Sequence, residues 1–279
     1  MSTDYKDLQL LAAKARYTAV EMVYTAAAGH PGGSLSCMDV LTYLYGREMK
    51  VDPKNPRCPD RDRFVMSKGH CSPAVYAVLS HKGFFPVEDT KLFRSIEGHI
   101  SGHVEMNHIP GVDMSTGSLG QGVSTACGMA IAGKLAGKDY RVYAITGDGE
   151  LEEGQPWECF MSAAKYKLDN FCVCVDVNGL QIDGATADVM PTAPLDKKFE
   201  AFGWHVITID GHDFAQIEAA YNEAKETKGQ PTVILAKTVK GKGVSFMEGD
   251  YGWHGKAPNA EQWEIAKKEL EDKIKELEG

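Results

Sequence analysis

Two polar side chains, Asp148 and Asn178, lie thirty positions apart, and each follows an apolar run. Asp148 is flanked by glycines and follows the run 140–146, whereas Asn178 follows the run 171–176. Both runs have the character of buried strands, and the segment between them, 153–166, has that of a helix. Because the crossover of such a unit makes its strands parallel, both side chains reach one edge of the sheet. Hard oxygen ligands beside glycines suit a magnesium ion that holds a diphosphate, so the pattern predicts a diphosphate-containing cofactor.

The Gly-Asp-Gly tripeptide alone is weak evidence, because it also occurs at ordinary strand-to-helix turns. The Asn-Gly pair at the end of the next strand gives it weight. Other diphosphate sites are disfavoured, since no G-x-G-x-x-G follows a strand and no Walker lysine motif is present.

Composition sets broad limits on the class of protein. The 279 residues are 43% hydrophobic and 25% charged, as expected for a soluble globular protein with one α/β domain. The net charge of −9 argues against nucleic acid and anionic membranes as partners. Seven cysteines without a C-x-x-C motif indicate reduced thiols. Residues 1–7 lack the features of a signal peptide and no apolar run could span a bilayer, so we expect a cytoplasmic protein.

The alternation of apolar runs and amphipathic segments predicts a parallel β-sheet with helices on both faces. Strands are expected at 63–66, 140–146, 171–176, 204–209 and 232–237, and helices at 8–28, 70–81, 121–136, 153–166, 213–227 and 260–279. The glycine-rich segment 29–33 would stop the first helix, and Ser34 would cap the next. The glycine-rich loop 240–245 follows a strand, which is a typical place for a binding loop.

Three further patterns concern packing. The helix 121–136 is rich in glycine and alanine, which fits either a buried helix or a contact between subunits. Cys172 and Cys174 have strand spacing and are expected on one face as core residues. The helix 260–279 has a narrow apolar stripe among charged residues, and a closing helix on the domain is favoured over a helix dedicated to a partner.

Six segments together resemble the transketolase family and span most of the chain. They are Gly29–Gly32, Ser67–His70, Gly102–His103, Thr116–Gly122, the pair formed by Gly147–Gly149 with Asn178, and Trp253–Gly255. The resemblance implies the thiamine diphosphate-binding fold. Of the domains that share this fold, it implies the one that binds the diphosphate.

A complete transketolase is more than twice as long as this chain, which resembles only its N-terminal region. The resemblance therefore implies the N-terminal subunit of a split transketolase, as a single domain over residues 1–279. The pyrimidine-binding and C-terminal domains would belong to a separate chain. That chain would supply the glutamate that activates the cofactor and most arginines for the sugar phosphate, in an α₂β₂ assembly.

The implied activity is transfer of a two-carbon ketol unit from a ketose phosphate to an aldose phosphate, as in the pentose phosphate pathway. A related split enzyme for apulose phosphate or a sulfosugar is an alternative, because the donor's tail is recognised mostly elsewhere. A non-catalytic regulatory subunit that binds the cofactor is another. Deoxyxylulose-phosphate synthase is disfavoured, because Glu153 and Gly154 match the transketolase form.

The resemblance assigns roles to four histidines. His30 and His103 would bond to the hydroxyl and carbonyl oxygens of the donor, and His70 would lie by the diphosphate and the substrate. His254 would contact both and is the candidate for proton transfer, which suits an imidazole because it titrates near neutral pH. The other five divide into two expected to be structural, His81 and His205, and three left open, His99, His108 and His212.

The same resemblance implies the cofactor's ligands. Mg²⁺, with Ca²⁺ as an alternative, would be held by the Asp148 carboxylate, the Asn178 amide oxygen and the Leu180 carbonyl. The N–H of Gly149 would bond to a phosphate oxygen. The aminopyrimidine ring would lie against three residues, namely Gly117, Ser118 and Leu119.

Two acidic residues follow Gly-Asp-Gly. Glu153 and Glu158 match glutamates that, in transketolases, lie at the subunit interface and are thought to connect two cofactors by a proton relay. Attraction to the positive end of the helix is the simpler account of their position. Pro156 and Trp157 replace the small residues often found between them, which could alter such an interface.

Overall fold

The computed structural model describes residues 4–279, so the first three residues of the segment examined for a signal peptide lie outside it. A five-stranded parallel sheet has the order β1-β2-β3-β7-β6. A small antiparallel pair, β4 and β5, follows β3. The strands are β1 Arg63–Met66, β2 Val142–Gly147, β3 Phe171–Val177, β4 Leu180–Gln181, β5 Gly184–Ala185, β6 His205–Asp210 and β7 Thr232–Lys237.

Ten α-helices in the described residues surround the sheet. They are α1 Lys6–Thr25, α2 Pro31–Ser36, α3 Met38–Tyr43, α4 Ser72–His81, α5 Gln121–Leu135, α6 Gly154–Lys165, α7 Thr186–Val189, α8 Leu195–Ala201, α9 Phe214–Glu226 and α10 Ala260–Glu278. Short 3₁₀ turns cover Gly69–Cys71, Val87–Leu92, Gly149–Glu152 and Tyr251–Trp253, and a π-helical turn covers Leu44–Glu48.

The predicted fold class is confirmed, because helices cover both faces of the parallel sheet. Alternate residues of each central strand point to opposite faces. Tyr143 and Ile145 pack with α1, α3, α4 and α9, whereas Val142 and Ala144 pack with α5, α6 and α8. Burial on both faces explains why the strands read as continuous apolar runs. Cys172 and Cys174 share the first face and are buried, as predicted.

The sheet order brings chemistry-bearing loops to one edge. β2 and β3 are neighbours in register, with Gly147 opposite Asp176, so the residues that follow them emerge side by side. The loops after β1 and β7, on the outer sides of this pair, leave the sheet at the same edge. Ligands bind at this edge in open parallel sheets.

The helix boundaries agree with the predictions to within a few residues, with one error in capping. Helix α2 begins at Pro31, so the prediction that Ser34 caps it is wrong. Proline suits the first helical position because it has no N–H to satisfy there. Ser34 lies inside the helix, where its hydroxyl donates to the His30 carbonyl at 2.7 Å.

Helix α5 is buried along one side. A Cβ at Gly122 would lie 2.7 Å from the Ser67 Cα, so only glycine permits this approach to the residue after β1. Gly128 and Ala132 are exposed on the other side. The buried-helix interpretation therefore describes half of α5, and a subunit contact on the other half stays a prediction.

Helix α10 packs on α1 as the closing element of the domain. Trp263 stacks on Tyr24 at a centroid distance of 5.1 Å, and Ala266 and Leu270 continue the buried stripe. No helix within residues 4–279 combines the length and apolar character needed to cross a bilayer.

Candidate active site

A pocket of about 310 Å³ opens at the carboxyl edge of the sheet, where β2 and β3 end. Eleven of the residues predicted for the site line it: His30, His70, His103, Gly117, Leu119, Asp148, Gly149, Glu153, Asn178, Leu180 and His254. Ser118 and Glu158 are exposed and do not belong to its lining. Residues from segments far apart in the sequence are therefore brought together.

Asp148 is buried at the bottom of the pocket. Its Oδ2 accepts a hydrogen bond from Gly179 N at 2.7 Å, and its Oδ1 accepts one from Gly149 N at 2.9 Å. The Gly149 N–H, which was expected to face a phosphate, thus bonds to Asp148 here. Burial, together with the charge of nearby Asp176, raises the pKa of Asp148 to about 6. A cation beside this carboxylate would relieve that cost.

Asn178 has a defined orientation at the end of β3. Its Nδ2 donates to Asp176 Oδ2 at 2.9 Å, and its Oδ1 accepts from Leu180 N at 3.1 Å. Gly179, between Asn178 and Leu180 in the chain, has φ +73°, a conformation that favours glycine. Because the amide nitrogen bonds to Asp176, the amide oxygen is turned away from Asp176, towards Leu180 N.

Beneath the pocket floor, Asp176 joins several segments. Its Oδ2 accepts from Lys68 Nζ and Ser36 Oγ, both at 2.6 Å, and Thr238 Oγ1 donates to its Oδ1. Lys68 also donates to the Gly33 carbonyl at 2.9 Å. Burial alone would raise the pKa of Asp176, but the Lys68 charge and these hydrogen bonds hold it below its usual value. The paired charge likewise raises the pKa of Lys68, despite burial.

Lys240 supplies a second buried ammonium, on the pocket wall. Its Nζ lies 3.4 Å from the Leu180 carbonyl oxygen and 3.4 Å from His254 Nδ1. Burial, reinforced by the charge of Lys68, lowers the pKa of Lys240. Of the two lysines lining the pocket, Lys68 is paired with Asp176, and Lys240 has no carboxylate in ion-pair contact within residues 4–279. Lys240 is therefore the lysine available to an anionic ligand.

Four imidazoles cluster around His30 on the pocket wall, and one of them, His254, lies beside Lys240. The His30 ring centroid lies 5.1 Å from that of His70, 5.8 Å from that of His103 and 5.4 Å from that of His254. His70 and His254 are 5.0 Å apart. All four predicted histidines therefore lie together, although they come from loops up to 224 positions apart (254 − 30).

Three of these imidazoles, His30, His103 and His254, have lowered pKa values. Burial and the neighbouring His70 lower the pKa of His30 to about 4, and burial with the nearby Lys240 lowers the pKa of His254 to about 3. The pKa of His103 is lowered as well, chiefly by burial. His30 Nδ1 is buried with no hydrogen-bond partner in the described structure. An unsatisfied buried nitrogen is costly and suits a polar ligand.

Backbone contacts hold the loops that carry His103 and Gly117. Val104 N donates to the Gly69 carbonyl at 3.1 Å, and Thr116 N donates to the Val104 carbonyl at 3.0 Å. A Cβ at Gly69 would lie 2.4 Å from backbone atoms of Thr116, so glycine is needed for this close approach. These bonds bring two irregular loops beside the segment that carries His70.

Glu150 ties three more segments together. Its carboxylate accepts from Ser67 Oγ at 2.5 Å, from Gly120 N at 2.8 Å and from Gly147 N at 3.1 Å. Burial raises its pKa, although these hydrogen bonds act in the opposite direction. It thereby fixes the turn that presents Gly117 and Leu119 to the pocket.

Glu153 and Glu158 differ in position. Both are exposed, but Glu153 precedes α6 and lines the pocket, whereas Glu158 lies within α6 and outside the pocket lining. Trp157 donates its indole N–H to the Leu151 carbonyl at 2.9 Å, and its partly buried ring packs on Phe160 against the core. A role at a subunit interface stays a prediction for both glutamates.

The remaining histidines lie outside the pocket lining. His81 and His205 contact a threonine hydroxyl and a glutamate carboxylate, respectively, which agrees with structural roles. His99 and His108 stack on each other at a centroid distance of 5.3 Å. His212 lies behind the pocket wall, with both ring nitrogens bonded.

The predicted metal ligands are one carboxylate, one side-chain amide and one backbone carbonyl. No group of three or more His, Cys, Asp or Glu side chains that could hold a metal occurs in the part of the chain described here. The oxygen donors at the ends of β2 and β3 nevertheless fit a hard divalent cation, because the buried Asp148 has no ion-pair partner there.

Comparison with known proteins identifies the family. Residues 8–275 match the family model described as "Transketolase, thiamine diphosphate binding domain". The chain belongs to this family. The transketolase resemblance of the sequence motifs is therefore confirmed, and the pocket lies in the family's thiamine diphosphate-binding domain.

Individual transketolases are similar along almost the whole chain. It is 45% identical to a 6-deoxy-6-sulfo-D-fructose transketolase subunit of Clostridium sp. (strain MSTE9), covering 97% of this chain and 98% of that protein. It is 43% identical to an apulose-4-phosphate transketolase subunit of Phocaeicola vulgatus, covering 97% and 96%. The transketolase structure from Campylobacter jejuni aligns with a TM-score of 0.90 and 34% identity, over 99% of this chain and 46% of that one. The chain thus spans the length of two curated subunits but less than half of the solved transketolase.

Sequence reasoning assigned no role to several residues of the transketolase-like pocket. Lys68 and Lys240 both line it, and Asp176 and Glu150 fix its floor. Signals for three of them were present in the sequence. Lys68 belongs to the segment Ser67–His70, Asp176 ends the apolar run before Asn178, and Lys240 lies in the glycine-rich loop after β7. Their partners come from distant segments, so the pairing itself was not visible.

Proposed function

We propose that this chain is the N-terminal subunit of a split transketolase that uses thiamine diphosphate with Mg²⁺. The observation that carries the proposal is one pocket that has Asp148 and Asn178 at its floor and four imidazoles on its wall. Two curated relatives of matching length are named as transketolase subunits, which supports a separate partner chain.

At the floor of the pocket, Asp148, the Asn178 amide oxygen and the Leu180 carbonyl would hold the metal. Lys240 would then bond to the diphosphate instead of the Leu180 carbonyl, because an ammonium group binds an anion more strongly than a neutral carbonyl. Asp176 would keep the Asn178 oxygen directed at the metal by occupying the Nδ2 group.

On the wall, His30 and His103 would bond to the donor's hydroxyl and carbonyl oxygens, and His70 would lie between diphosphate and substrate. His254, kept neutral by burial and by Lys240, would accept a proton from a substrate oxygen. Thiamine diphosphate, when bound, supplies the carbon nucleophile that carries the two-carbon unit.

The partner chain would cover the open side of the pocket and supply the activating glutamate and the phosphate-binding arginines. Glu153 at the pocket rim and the exposed Glu158 would face it or a second copy of this chain, in an α₂β₂ assembly. We place the enzyme in the cytoplasm, which the seven free cysteines support.

The donor sugar is a second question, and the relatives favour unusual ones. One acts on 6-deoxy-6-sulfo-D-fructose and another on apulose 4-phosphate, according to their names. Because those names differ in the donor, either compound is a candidate donor beside the pentose phosphates.

The deciding experiment is an assay of ketol transfer with thiamine diphosphate and Mg²⁺. The chain is tested alone and with the product of the neighbouring gene, using xylulose 5-phosphate, apulose 4-phosphate or 6-deoxy-6-sulfo-D-fructose as donor and an aldose phosphate as acceptor. We expect transfer only from the mixture and from one donor predominantly. Full activity of the chain alone would refute the split enzyme. Bound cofactor without turnover in any mixture would favour a regulatory subunit.

A further inference from the structure

His212 follows β6 and uses both ring nitrogens. Its Nδ1 lies 2.7 Å from Asp39 Oδ2, and its Nε2 lies 2.9 Å from Val239 N. A backbone N–H can only donate, so Nε2 must accept, and the ring proton of the neutral imidazole must be on Nδ1, where it donates to Asp39. The geometry therefore fixes the tautomer.

Asp39 is itself held in place from the other side. Arg16 on α1 makes a two-point contact with it, with distances of 2.9 Å to Oδ1 and 2.6 Å to Oδ2. Burial would raise the pKa of Asp39, but the Arg16 charge and the hydrogen bonds from Arg16 and His212 lower it to about 2. A charged carboxylate facing Nδ1 keeps the proton there.

Val239 is the residue before Lys240 in the loop after β7. On one side of it, Thr238 N donates to the Val177 carbonyl at 3.1 Å. On the other, Gly241 N donates to the Gly32 carbonyl at 3.0 Å. The hydrogen bond from Val239 N to His212 thus holds this backbone segment at the residue before Lys240, whose side chain lies in the pocket wall.

We propose that His212 is a positioning residue for Lys240 and, through it, for the diphosphate of the cofactor. By accepting the Val239 N–H, the neutral ring sets the backbone of residues 238–241 so that the Lys240 ammonium lies beside the Leu180 carbonyl and His254. This inference rests on the proposed function, because it assumes that the pocket binds a diphosphate.

Two substitutions distinguish the contribution of Nδ1 from that of Nε2. In His212→Asn the side-chain amide can occupy the Nδ1 position and donate to Asp39, but nothing reaches Val239. In His212→Gln the amide oxygen can occupy the Nε2 position and accept from Val239. His205→Gln is the matched control, because His205 also contacts a carboxylate, on Glu223, but lies outside the pocket.

The experiment measures two quantities in the full-length chain together with its partner. One is amide hydrogen exchange of residues 238–241, and the other is affinity for thiamine diphosphate in the presence of Mg²⁺. We expect His212→Asn to exchange at least tenfold faster in this segment and to bind about tenfold more weakly, with His212→Gln and His205→Gln near the wild type. In a Lys240→Met background, His212→Asn should weaken binding by less than twofold more, because its effect runs through Lys240.

Three results would overturn the proposal. Faster exchange in His212→Asn with unchanged affinity would show that the loop attachment does not serve binding. Equal losses in the Asn and Gln variants, or a full additional loss in the Lys240→Met background, would assign His212 a general structural role. Failure of the wild type to bind thiamine diphosphate would remove the proposed function first, and with it the ligand that Lys240 is proposed to meet.

Discussion

The floor of the pocket, formed by Asp148 and Asn178 with Asp176 beneath them, is assembled differently from the imidazole wall, formed by the four clustered histidines. The floor comes from the ends of two adjacent parallel strands, so hydrogen-bonded register places its groups. The wall comes from loops that have no strand pairing with one another and are joined by single backbone bonds, such as that from Val104 N to the Gly69 carbonyl.

The two regions also treat charge differently. Beneath the floor, Asp176 is kept charged by its ion pair with Lys68, whereas Asp148 in the floor has no such partner and its pKa is raised. In the wall, burial lowers the pKa of His30 and, together with the charge of Lys240, that of His254, so both rings stay neutral. The contrast teaches that the floor is suited to hold a cation, and the wall to exchange protons and hydrogen bonds with a neutral ligand part.

Removing the floor carboxylate should have the largest effect. Asp148→Ala is expected to weaken Mg²⁺-dependent binding of thiamine diphosphate by on the order of 10³-fold, since even residues behind a metal ligand cost about 10–100-fold. Isothermal titration of the partnered chain measures it. The control is Glu152→Gln, which changes another pocket carboxylate that contacts Gln181. Equal binding by Asp148→Ala and the wild type would show that the floor is not the metal site.

Breaking the pair beneath the floor should mainly affect stability. Lys68→Met leaves Asp176 buried without its cation and is expected to lower the free energy of unfolding by about 3 kcal/mol. Urea unfolding of the unliganded chain measures the change. The double variant with Asp176→Asn should recover part of the loss, because no buried charge is then left unpaired. A Lys68→Met variant as stable as the wild type would contradict the assigned pairing.

On the wall, His254→Gln should reduce turnover by about 10²-fold, the lower end of the usual contribution of acid–base catalysis. Binding of thiamine diphosphate should change less than turnover, because the floor is intact. The assay is ketol transfer by the partnered enzyme, with His108→Gln as a control outside the pocket lining. An unchanged kcat would remove His254 from proton transfer.

The smallest expected effect is a difference in pH dependence. The pKa of His254 is about 3 in the folded chain and near 6.5 in the unfolded chain. Below pH 6.5 the unfolded chain therefore binds a proton that the folded chain does not, and the contribution of His254 to the free energy of unfolding falls as the pH is lowered. Asp148 acts in the opposite direction, because its folded pKa of about 6 lies above the unfolded value.

Comparison of the wild type with His254→Gln isolates the histidine. The difference in their unfolding free energies should change by about 1 kcal/mol between pH 7 and pH 5, after allowance for the partial exposure of the ring. Urea unfolding at pH 7, 6 and 5 provides the values. Parallel pH curves for the two proteins would mean that His254 titrates normally in the folded chain.

The floor was more predictable from the sequence than the wall. The strands that end before Asp148 and Asn178 were recognisable from their apolar runs, and parallel topology then placed both residues at one edge. The histidines could be grouped only through the family resemblance, because no local rule says that His30 and His254 meet. Helix boundaries were close, but the proline at the start of α2 displaced the cap expected at Ser34.

What the sequence could not provide were pairings across distant segments. Lys68 and Asp176 are 108 positions apart, and His212 and Asp39 are 173 positions apart. Such contacts depend on the order of the strands and helices, which the apolar pattern does not specify. Ser118 is exposed, and its expected place beside the cofactor ring stays a prediction.

The register between β2 and β3 limits how this part of the molecule can change in length. A strand advances about 3.3 Å per residue, and successive side chains alternate in direction. A single insertion within β3 would therefore move the Asn178 amide relative to Asp148 and reverse the facing of the strand residues on one side of the insertion. Insertions in the loop before β6 would leave the pair undisturbed. The length of β3 is therefore fixed by the site, whereas the connecting loops can vary in length.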